Sequence, residues 1–567
     1  MSFSATWAST ETRGSVLAGV SCRVGRRNFY QNTFISQRKW VRAVIDRSWG
    51  LNSLPVNVFE TDVSHVSVTS EPVMRKTKIV STIGPTSNTK EMLFELAKQG
   101  INVVRLNMSH GDHESHMDVV SLVREYNAMA IQEGKPTLAI MLDTKGPEIR
   151  SGDVHTPLIL TAGDGLVFTI REGTTQQDEP PYRVSINYDG FIDDVEVGDR
   201  VLIDGGILSM DVTRIDREHG DVVCQVVDGG EMGSRRHVNV RGKSANLPAI
   251  TEKDWSDLKW GIHDAQVDYF ALSFVRDAEV IRELKQYLIE EEGQTNSSTR
   301  IQILAKIESA DSTKNLEEIL DSVDGAMVAR GDLGAELPVE EVPFWQDSIV
   351  QGCRSRGKPC IVATNMLESM IQHPLPTRAE VTDISVAVRE GSSAVMLSGE
   401  TAYGNFPLKS VEVMSTVARE AEIGMMLEKS MRNSNSVTDS MLPASDDPLS
   451  EVIAYHAAQM SDTLQCPLIV FSRRGNLPKL LSNVRPNSTI FCFTDNDSVQ
   501  RRLALYHGVC ALRVTFAKES EATYDMCVKL LLEKGYVQPG QPIVVVRGGT
   551  EPIWSQRSPY AAQIRLV

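Results

Sequence analysis

Eight short runs rich in β-branched residues recur between positions 77 and 397, and most of the intervals between them carry helical periodicity. The runs cover residues 77–83, 103–108, 137–143, 269–275, 302–307, 325–329, 360–364 and 393–397. In the first interval, residues 89–99 place Leu93, Leu96 and Ala97 on one face, with Gly100 at the stop position. Strands that alternate with helices run parallel, because each crossover helix returns the chain to the edge it left. Eight such units predict an α/β chain folded as a (β/α)8 TIM barrel. An open, doubly wound sheet is the alternative, since strand number does not prove closure.

One interval is too long for a loop. Between residues 151 and 244 the helical period disappears. Residues 158–160, 165–170, 182–186, 200–203 and 221–227 read as strands between Gly/Asp turns such as Asp204-Gly205-Gly206. This predicts an inserted, β-barrel-like domain after strand three, over residues 151–244. The catalytic barrel then takes residues 76–150 and 245–430. A seam rich in Ser, Asn, Asp and Pro covers 431–448. Beyond it, a helix at 451–464 and strands at 467–472, 488–493, 509–515 and 542–546 predict a C-terminal α/β domain over 446–567.

The first 75 residues differ in composition. Arg13, Arg23, Arg26, Arg27, Arg38, Lys39, Arg42 and Arg47 lie among many Ser and Thr, and only Glu11 and Asp46 oppose them before residue 50. An Arg- and Ser-rich, acid-poor start is the pattern of an organelle transit peptide; an ordinary tail is the other reading. The whole chain is acidic, with a net charge of −16 over 567 residues. That opposes a general nucleic-acid binder, which needs a basic face. No uninterrupted apolar stretch of about 18 residues predicts a membrane span. The 8 cysteines form no C-x-x-C pair and most sit in apolar runs, so they read as reduced core residues of an intracellular protein.

Barrel enzymes carry their active groups at the C-terminal strand ends, and here those ends are polar. Strand two ends Arg105-Leu106-Asn107-Met108-Ser109-His110, and strand three ends Asp143-Thr144-Lys145-Gly146-Pro147-Glu148-Ile149-Arg150. Strands five to eight end in Lys306-Ile307-Glu308, Arg330-Gly331-Asp332, Thr364-Asn365 and Ser398-Gly399-Glu400. Lys306 and Glu308 are two apart on a strand and so share a face. Alone they read as a buried ion pair. With Asp332 on the next strand end, two carboxylates and substrate oxygens suit Mg2+, and Lys306 adds a second positive charge. Asn107, Ser109, Asp143 and Thr144 could hold a cation or form a hydrogen-bond network. Arg105 and Arg150 are candidate phosphate clamps. His110, His113 and His116 lack the carboxylate or Cys that would complete a metal site.

Several of these stretches resemble pyruvate kinase. They are residues 77–85 (TKIVSTIGP), 105–110, 143–150, 306–308, 327–336 (MVARGDLGAE), 363–370 (ATNMLESM) and 396–402 (MLSGETA). Residues 234–243 (SRRHVNVRGK), Asn365 and the transit-like start are similar to the plastid type of plants. The resemblance implies transfer of a phosphoryl group from phosphoenolpyruvate to ADP, giving pyruvate and ATP. It implies Mg2+ on Glu308 and Asp332, and K+ on Asn107, Ser109, Asp143 and Thr144. Lys306 would stabilise the moving phosphoryl group and the enolate, and Thr364 would help protonate the enolate through water. Arg105 would bind the phosphate, with Gly331, Asp332 and Thr364 also at the substrate. Asn107, Met108, Ser109, His110, Arg150 and Arg236 would reach the nucleotide. Members with Glu at the position of Glu148 generally need K+, whereas a Lys there supplies the charge itself. A homo-tetramer, or an oligomer with related subunits, in the chloroplast stroma is implied as well. The loop 472–477 (SRRGNL) departs from the Ser/Thr-rich loop that binds a sugar bisphosphate in regulated members. A metal-dependent lyase acting on pyruvate-type substrates and a regulatory subunit without chemistry are the competing functions. The inserted domain opposes the first, and intact Lys306, Glu308, Asp332 and Thr364 oppose the second.

Overall fold

The structure, a computed structural model, describes residues 74–171, 179–243, 247–291, 293, 301–431, 448–548 and 560–567. Residues 1–73 of the transit-like segment and the polar seam at 432–447 lie outside the described residues.

Eight strands close a parallel barrel: β1 (Lys78–Thr82), β2 (Val103–Asn107), β3 (Ala139–Asp143), β12 (Tyr269–Leu272), β13 (Gln302–Ile307), β14 (Gly325–Ala329), β15 (Cys360–Ala363) and β16 (Ala394–Leu397), with β1 hydrogen-bonded to both β2 and β16. The open-sheet alternative is excluded by that last pairing. The middles of the strands are apolar because both faces are covered there, and polar residues gather at the strand ends. Successive side chains alternate between two cores. Val80, Val103, Met141, Ala271, Leu304, Met327, Ile361 and Met396 fill the barrel interior. Ile79, Val104, Leu142, Leu272, Ile303, Val328, Val362 and Val395 face the surrounding helices. The helix Lys90–Gln99 is capped by Thr89, whose side chain accepts from Met92 N, and ends at Gly100, with φ +103°.

Between β3 and β12 the chain builds a separate β unit. Its strands are β4 (Leu158–Leu160), β5 (Gly165–Thr169), β6 (Tyr182–Ser185), β7 (Arg200–Ile203), β8 (Leu208–Asp216), β9 (Asp221–Asp228), β10 (Gly230–Met232) and β11 (Val238–Val240). They form a six-stranded sheet in the order β11-β7-β8-β9-β5-β6 and a β4–β10 pair, around a core of their own that includes Phe168, Phe191, Val201 and Met210. The long strand β8 escapes the sequence reading because Asp211, Thr213, Arg214 and Asp216 break up its apolar run. The chain leaves and re-enters at one place: Ser151 N donates to Arg236 O (2.9 Å) and Arg235 N to Gly152 O (3.1 Å).

The C-terminal strands β17 (Leu468–Phe471), β18 (Ile490–Thr494), β19 (Val509–Arg513), β20 (Pro542–Gly548) and β21 (Tyr560–Leu566) form one sheet, ordered β19-β18-β17-β20-β21. The first four are parallel, while β21 is antiparallel and lies on the edge. This domain closes the barrel floor. Leu505 is fully buried within the interior barrel core. Tyr269 Oη at the foot of β12 donates to Arg502 O, and Asp268 pairs with Arg501 at 2.9 Å.

Candidate active site

The alternation that fills the barrel interior also fixes what stands at its mouth. Continuing the inward positions one step towards the C-terminal ends reaches Thr82 after Val80, Arg105 after Val103 and Asp143 after Met141. It likewise reaches Ser273 after Ala271 and Lys306 after Leu304. These five polar side chains form one connected ring. Arg105 Nε donates to Asp143 Oδ2 (2.6 Å) and its Nη1 to Thr82 Oγ1 (3.1 Å). Lys306 Nζ donates to Ser273 Oγ (2.7 Å) and lies 3.3 Å from Asp143 Oδ1. Ser273 Oγ donates in turn to Thr144 O (2.6 Å).

Glu308 stands one inward step above Lys306 and is fully buried. Its Oε1 accepts from Phe274 N (2.6 Å). Its Oε2 lies 3.2 Å from Lys306 Nζ but accepts no aligned hydrogen bond. Burial, and next the charge of Asp332, push the Glu308 carboxyl up, against the pull of Lys306. Burial works against the Lys306 ammonium too, but Asp143, Glu308 and Asp332 outweigh it and hold its pKa above the ordinary lysine value. Asp143 is fully buried, which favours its neutral form, yet Arg105 and Lys306 keep it below the usual carboxylate range. Lysine and both carboxylates are therefore poised by one another rather than by solvent.

The approach of strand β3 to this ring requires a glycine. Gly146 has φ +71°, and a Cβ there would meet Ser273 Cβ at 2.7 Å and Phe274 Cδ2 at 2.8 Å.

Beyond β14 the chain turns at once into the helix Arg330–Glu336, so Asp332 lies in its first turn rather than on a strand end. Asp332 is partly exposed, and its Oδ1 is 3.9 Å from His237 Nδ1 of the inserted unit. Gly331 N donates to Thr364 Oγ1 (2.9 Å), and that hydroxyl donates to Ala363 O (2.7 Å). Thr364 has φ +67° and Asn365 φ +55°. For a β-branched residue this is a strained conformation, of the kind that collects at functional sites. Arg330 over-determines it: Nη2 donates to Thr364 O (2.6 Å) while Nη1 is anchored on Asp383 (2.6 Å).

Asn107 faces Asp143 in register across β2 and β3. Its Oδ1 accepts from Ser109 N (3.2 Å), which places Asn107, Ser109, Asp143 and Thr144 around one strand end. Met108 is buried in the outer core, so only its backbone faces the rim; its carbonyl accepts from Lys253 Nζ (2.9 Å). His110 is exposed. His113 pairs with Asp257 (2.7 Å) and stacks on Trp260, while His116 bonds His110 O (2.9 Å). The three histidines thus serve separate structural contacts. Arg150 is held by Glu148 (2.7 Å) and donates to Arg235 O (2.9 Å). Arg236 pairs with Asp204 inside the inserted unit, at 3.0 Å. Both arginines lie at the crossing between barrel and insertion, apart from the Lys306 ring. Among the described residues no group of three or more His, Cys, Asp or Glu gathers as a self-sufficient metal site. A cation at Glu308 and Asp332 would need its remaining oxygens from substrate and water.

Sequence reading gave no role to Thr82, Ser273, Phe274, Arg330 and His237. Parity along β1 and β12 points to Thr82 and Ser273. No sequence signal marks His237, which arrives through the fold of the insertion.

A closed parallel barrel with a buried cation and two carboxylates at its mouth defines an enzyme that handles an anionic, charge-accumulating substrate. Comparison with known proteins narrows the class. The family model described as pyruvate kinase, barrel domain, matches residues 74–411, and the pyruvate kinase alpha/beta domain matches residues 451–552. Plastidial pyruvate kinase 2 of Arabidopsis thaliana is 52% identical over 503 residues, covering 88% of this chain and 83% of its own. Pyruvate kinase isozyme G, chloroplastic, of Nicotiana tabacum is 52% identical over 494 residues, covering 87% and 84%. The crystal structure of a pyruvate kinase from Cryptosporidium parvum superposes with a TM-score of 0.77 at 34% identity, covering 87% of this chain and 96% of that one. The chain belongs to the pyruvate kinase family.

Proposed function

We propose that the chain is an active pyruvate kinase of the plastid, which moves the phosphoryl group of phosphoenolpyruvate to ADP with the help of Mg2+ and K+. The observation that carries this reading is the buried Lys306, held charged between Asp143 and Glu308 at the barrel mouth.

Glu308 and Asp332 fit a divalent cation. One carboxylate oxygen of Glu308 is buried without a hydrogen bond, and the charge of Asp332 raises the cost of ionising Glu308. Mg2+ on this pair would supply Lewis-acid stabilisation of the oxygens that gain charge as the phosphoryl group leaves. Arg105 spends Nε and Nη1 on Asp143 and Thr82, leaving Nη2 to meet the substrate phosphate. Lys306 keeps its proton throughout, because its neighbours favour the charged form, and places the ammonium on the transferring group and on the enolate oxygen. Gly331 and the Thr364 hydroxyl form the opposite wall, and a proton relayed from Thr364 through water would reach C3 of the enolate. Asn107 to His110, Arg150 and Arg236 line the path for the nucleotide. A coupled assay with phosphoenolpyruvate and ADP on the purified chain tests the reading; no pyruvate formed under saturating substrates and both cations would refute it.

Asn107, Ser109, Asp143 and Thr144 offer oxygen ligands with one formal negative charge, which suits K+ better than a second Mg2+. Replacing K+ by a bulky organic cation at constant ionic strength is expected to lower activity at least about tenfold, ~1.4 kcal/mol of barrier. Glu148→Lys should weaken that dependence by placing an ammonium beside Arg150, which Glu148 now neutralises. Equal rates of the parent enzyme with and without K+ would leave the four residues as a structural network.

Residues 1–75 serve, in this reading, as the plastid address. A fluorescent reporter fused behind them should accumulate in plastids of plant cells, and a cytosolic reporter would count against it. The edge strand β21 exposes Ile564 and Leu566. An uncovered apolar edge of this kind fits assembly into a homo-tetramer or a mixed oligomer.

A further inference from the structure

Away from the barrel mouth, where the barrel floor meets the C-terminal domain, four cations converge on one small pocket. Arg354, at the end of the helix Val342–Ser355, and Lys358, just before β15, come from the barrel. Lys479, on the helix Asn476–Val484, and Arg485, at its C-cap, come from the C-terminal domain. Ser482 and Tyr506 complete the lining.

Among the described residues none of the four forms an ion pair with a carboxylate. The nearby acids are engaged elsewhere: Asp321 pairs with Arg356, Asp324 accepts from Ile303 N, Asp347 from Gln351 Nε2, and Glu422 from the backbone N–H groups of Lys76 and Thr77. The four cations make do with neutral oxygens. Arg354 Nη1 donates to Gln351 Oε1 (3.1 Å), and Lys358 Nζ to Leu320 O (2.5 Å) and Asp321 O (2.9 Å). Arg485 Nη2 donates to Gly391 O and to Ser392 O (3.2 Å). Lys479 Nζ lies 5.2 Å from the centre of the Tyr506 ring. Arg354 Nε is buried with no hydrogen-bond partner at all.

Charges gathered in this way oppose their own burial. Arg354, Lys358 and Arg485 all have pKa values pulled below the ordinary ones, first by burial; for Arg485 the next cause is Arg354 itself. Asp347, Asp324, Asp321 and Glu422 act on them only from beyond ion-pair distance. Uncompensated cations of one sign in a polar pocket cost free energy that a bound anion recovers. The enclosed space is small, about 10 Å3, so a tetrahedral oxyanion would sit at the pocket's open mouth against the cationic heads, and a nucleotide is excluded from its interior. Guanidinium forks with flanking ammonium groups are the donor set that suits phosphate oxygens.

We infer that this pocket is a phosphate-binding site that ties the C-terminal domain to the barrel floor, taking either inorganic phosphate or the phosphoryl end of a small phosphomonoester. Two of its cations belong to each side, so the bound anion bridges the two domains.

The experiment is a calorimetric titration of inorganic phosphate into the full chain, with the catalytic cleft filled by saturating phosphoenolpyruvate. It is repeated on Lys479→Gln and on Arg354→Met/Lys479→Gln. One phosphate per chain is expected in the parent, with affinity at least threefold weaker in the single variant and tenfold weaker in the double. Phosphate should also raise the Tm of the parent but not of the double variant. Pyruvate kinase activity in phosphate-free buffer verifies that each variant is folded, and the single variant, whose lysine is a half-exposed side chain, carries the test alone if the double fails. Competition by glycerol 3-phosphate separates the two sources: displacement assigns the site to phosphomonoesters, and no displacement assigns it to free phosphate. Equal phosphate affinity in all three proteins, or none once phosphoenolpyruvate is bound, overturns the inference.

Discussion

Lys306→Met is expected to lower kcat by at least about 100- to 1,000-fold, ~3–4 kcal/mol of barrier, while the chain stays folded. The side chain is almost fully buried, yet methionine matches its length and apolar stem, so the barrel wall remains filled. What disappears is the charge that Asp143 and Glu308 hold in place at 3.3 and 3.2 Å. Asp143 retains Arg105 at 2.6 Å, so the ring does not collapse. Glu308 loses the cation that Lys306 places beside it and takes up a proton more readily, so the Mg2+ dependence of the variant should shift to higher metal concentration at a given pH. Steady-state kinetics over a Mg2+ series, with circular dichroism melts as the folding control, decide the matter. An unchanged kcat with a raised KM would reduce Lys306 to a substrate-binding group.

Removal of the inserted β unit should cost more. Because Gly152 and Arg235 already lie side by side, joined by a 3.1 Å hydrogen bond, a short Gly/Ser linker can replace residues 153–234 without straining the barrel. The unit has its own hydrophobic core, so its loss opens no cavity in the barrel. It does remove Asp204, which holds His237 beside Asp332 through His237 N and pairs with Arg236. In the proposed mechanism the unit is a lid that closes over the nucleotide and keeps water from the phosphoryl group. Transfer to ADP should fall at least about 1,000-fold, ~4 kcal/mol, while phosphoenolpyruvate still binds in a fluorescence titration. Full activity in the deletion would show the insertion to be dispensable.

How far such a site is legible in the sequence depends on which physical rule writes it. Period-two alternation writes the barrel ring, and Lys306, Glu308 and Asp143 can be found from spacing alone, because strands impose a strict facing rule. Ser273 obeys the same rule but is overlooked, since a lone serine carries no chemical signal. Asp332 is legible as a strand-end carboxylate, although it sits on a short helix that begins without a side-chain cap. Thr364 shows the limit: nothing in Ala363-Thr364-Asn365 announces two consecutive left-handed residues, because that strain is imposed by Arg330 and Asp383 from elsewhere in the fold. The insertion was legible as a β unit, but its strand β8 and its contact through His237 were not, as both arise from tertiary pairing.

The seating of Leu505 in the barrel interior has a bearing on how chains of this kind can be assembled from parts. Two segments recognisable by separate sequence models, 74–411 and 451–552, would be exchangeable between proteins if each carried a complete interior. Here the second segment supplies the stopper for the first, with Leu505 completely shielded from water and Tyr269 and Asp268 fastened to Arg502 and Arg501. A recombinant that swaps one segment must therefore match the other's floor, and an excised barrel would present a wet, open-bottomed cylinder. The two segments are free to diverge on their outer surfaces but are bound to change together at that plug.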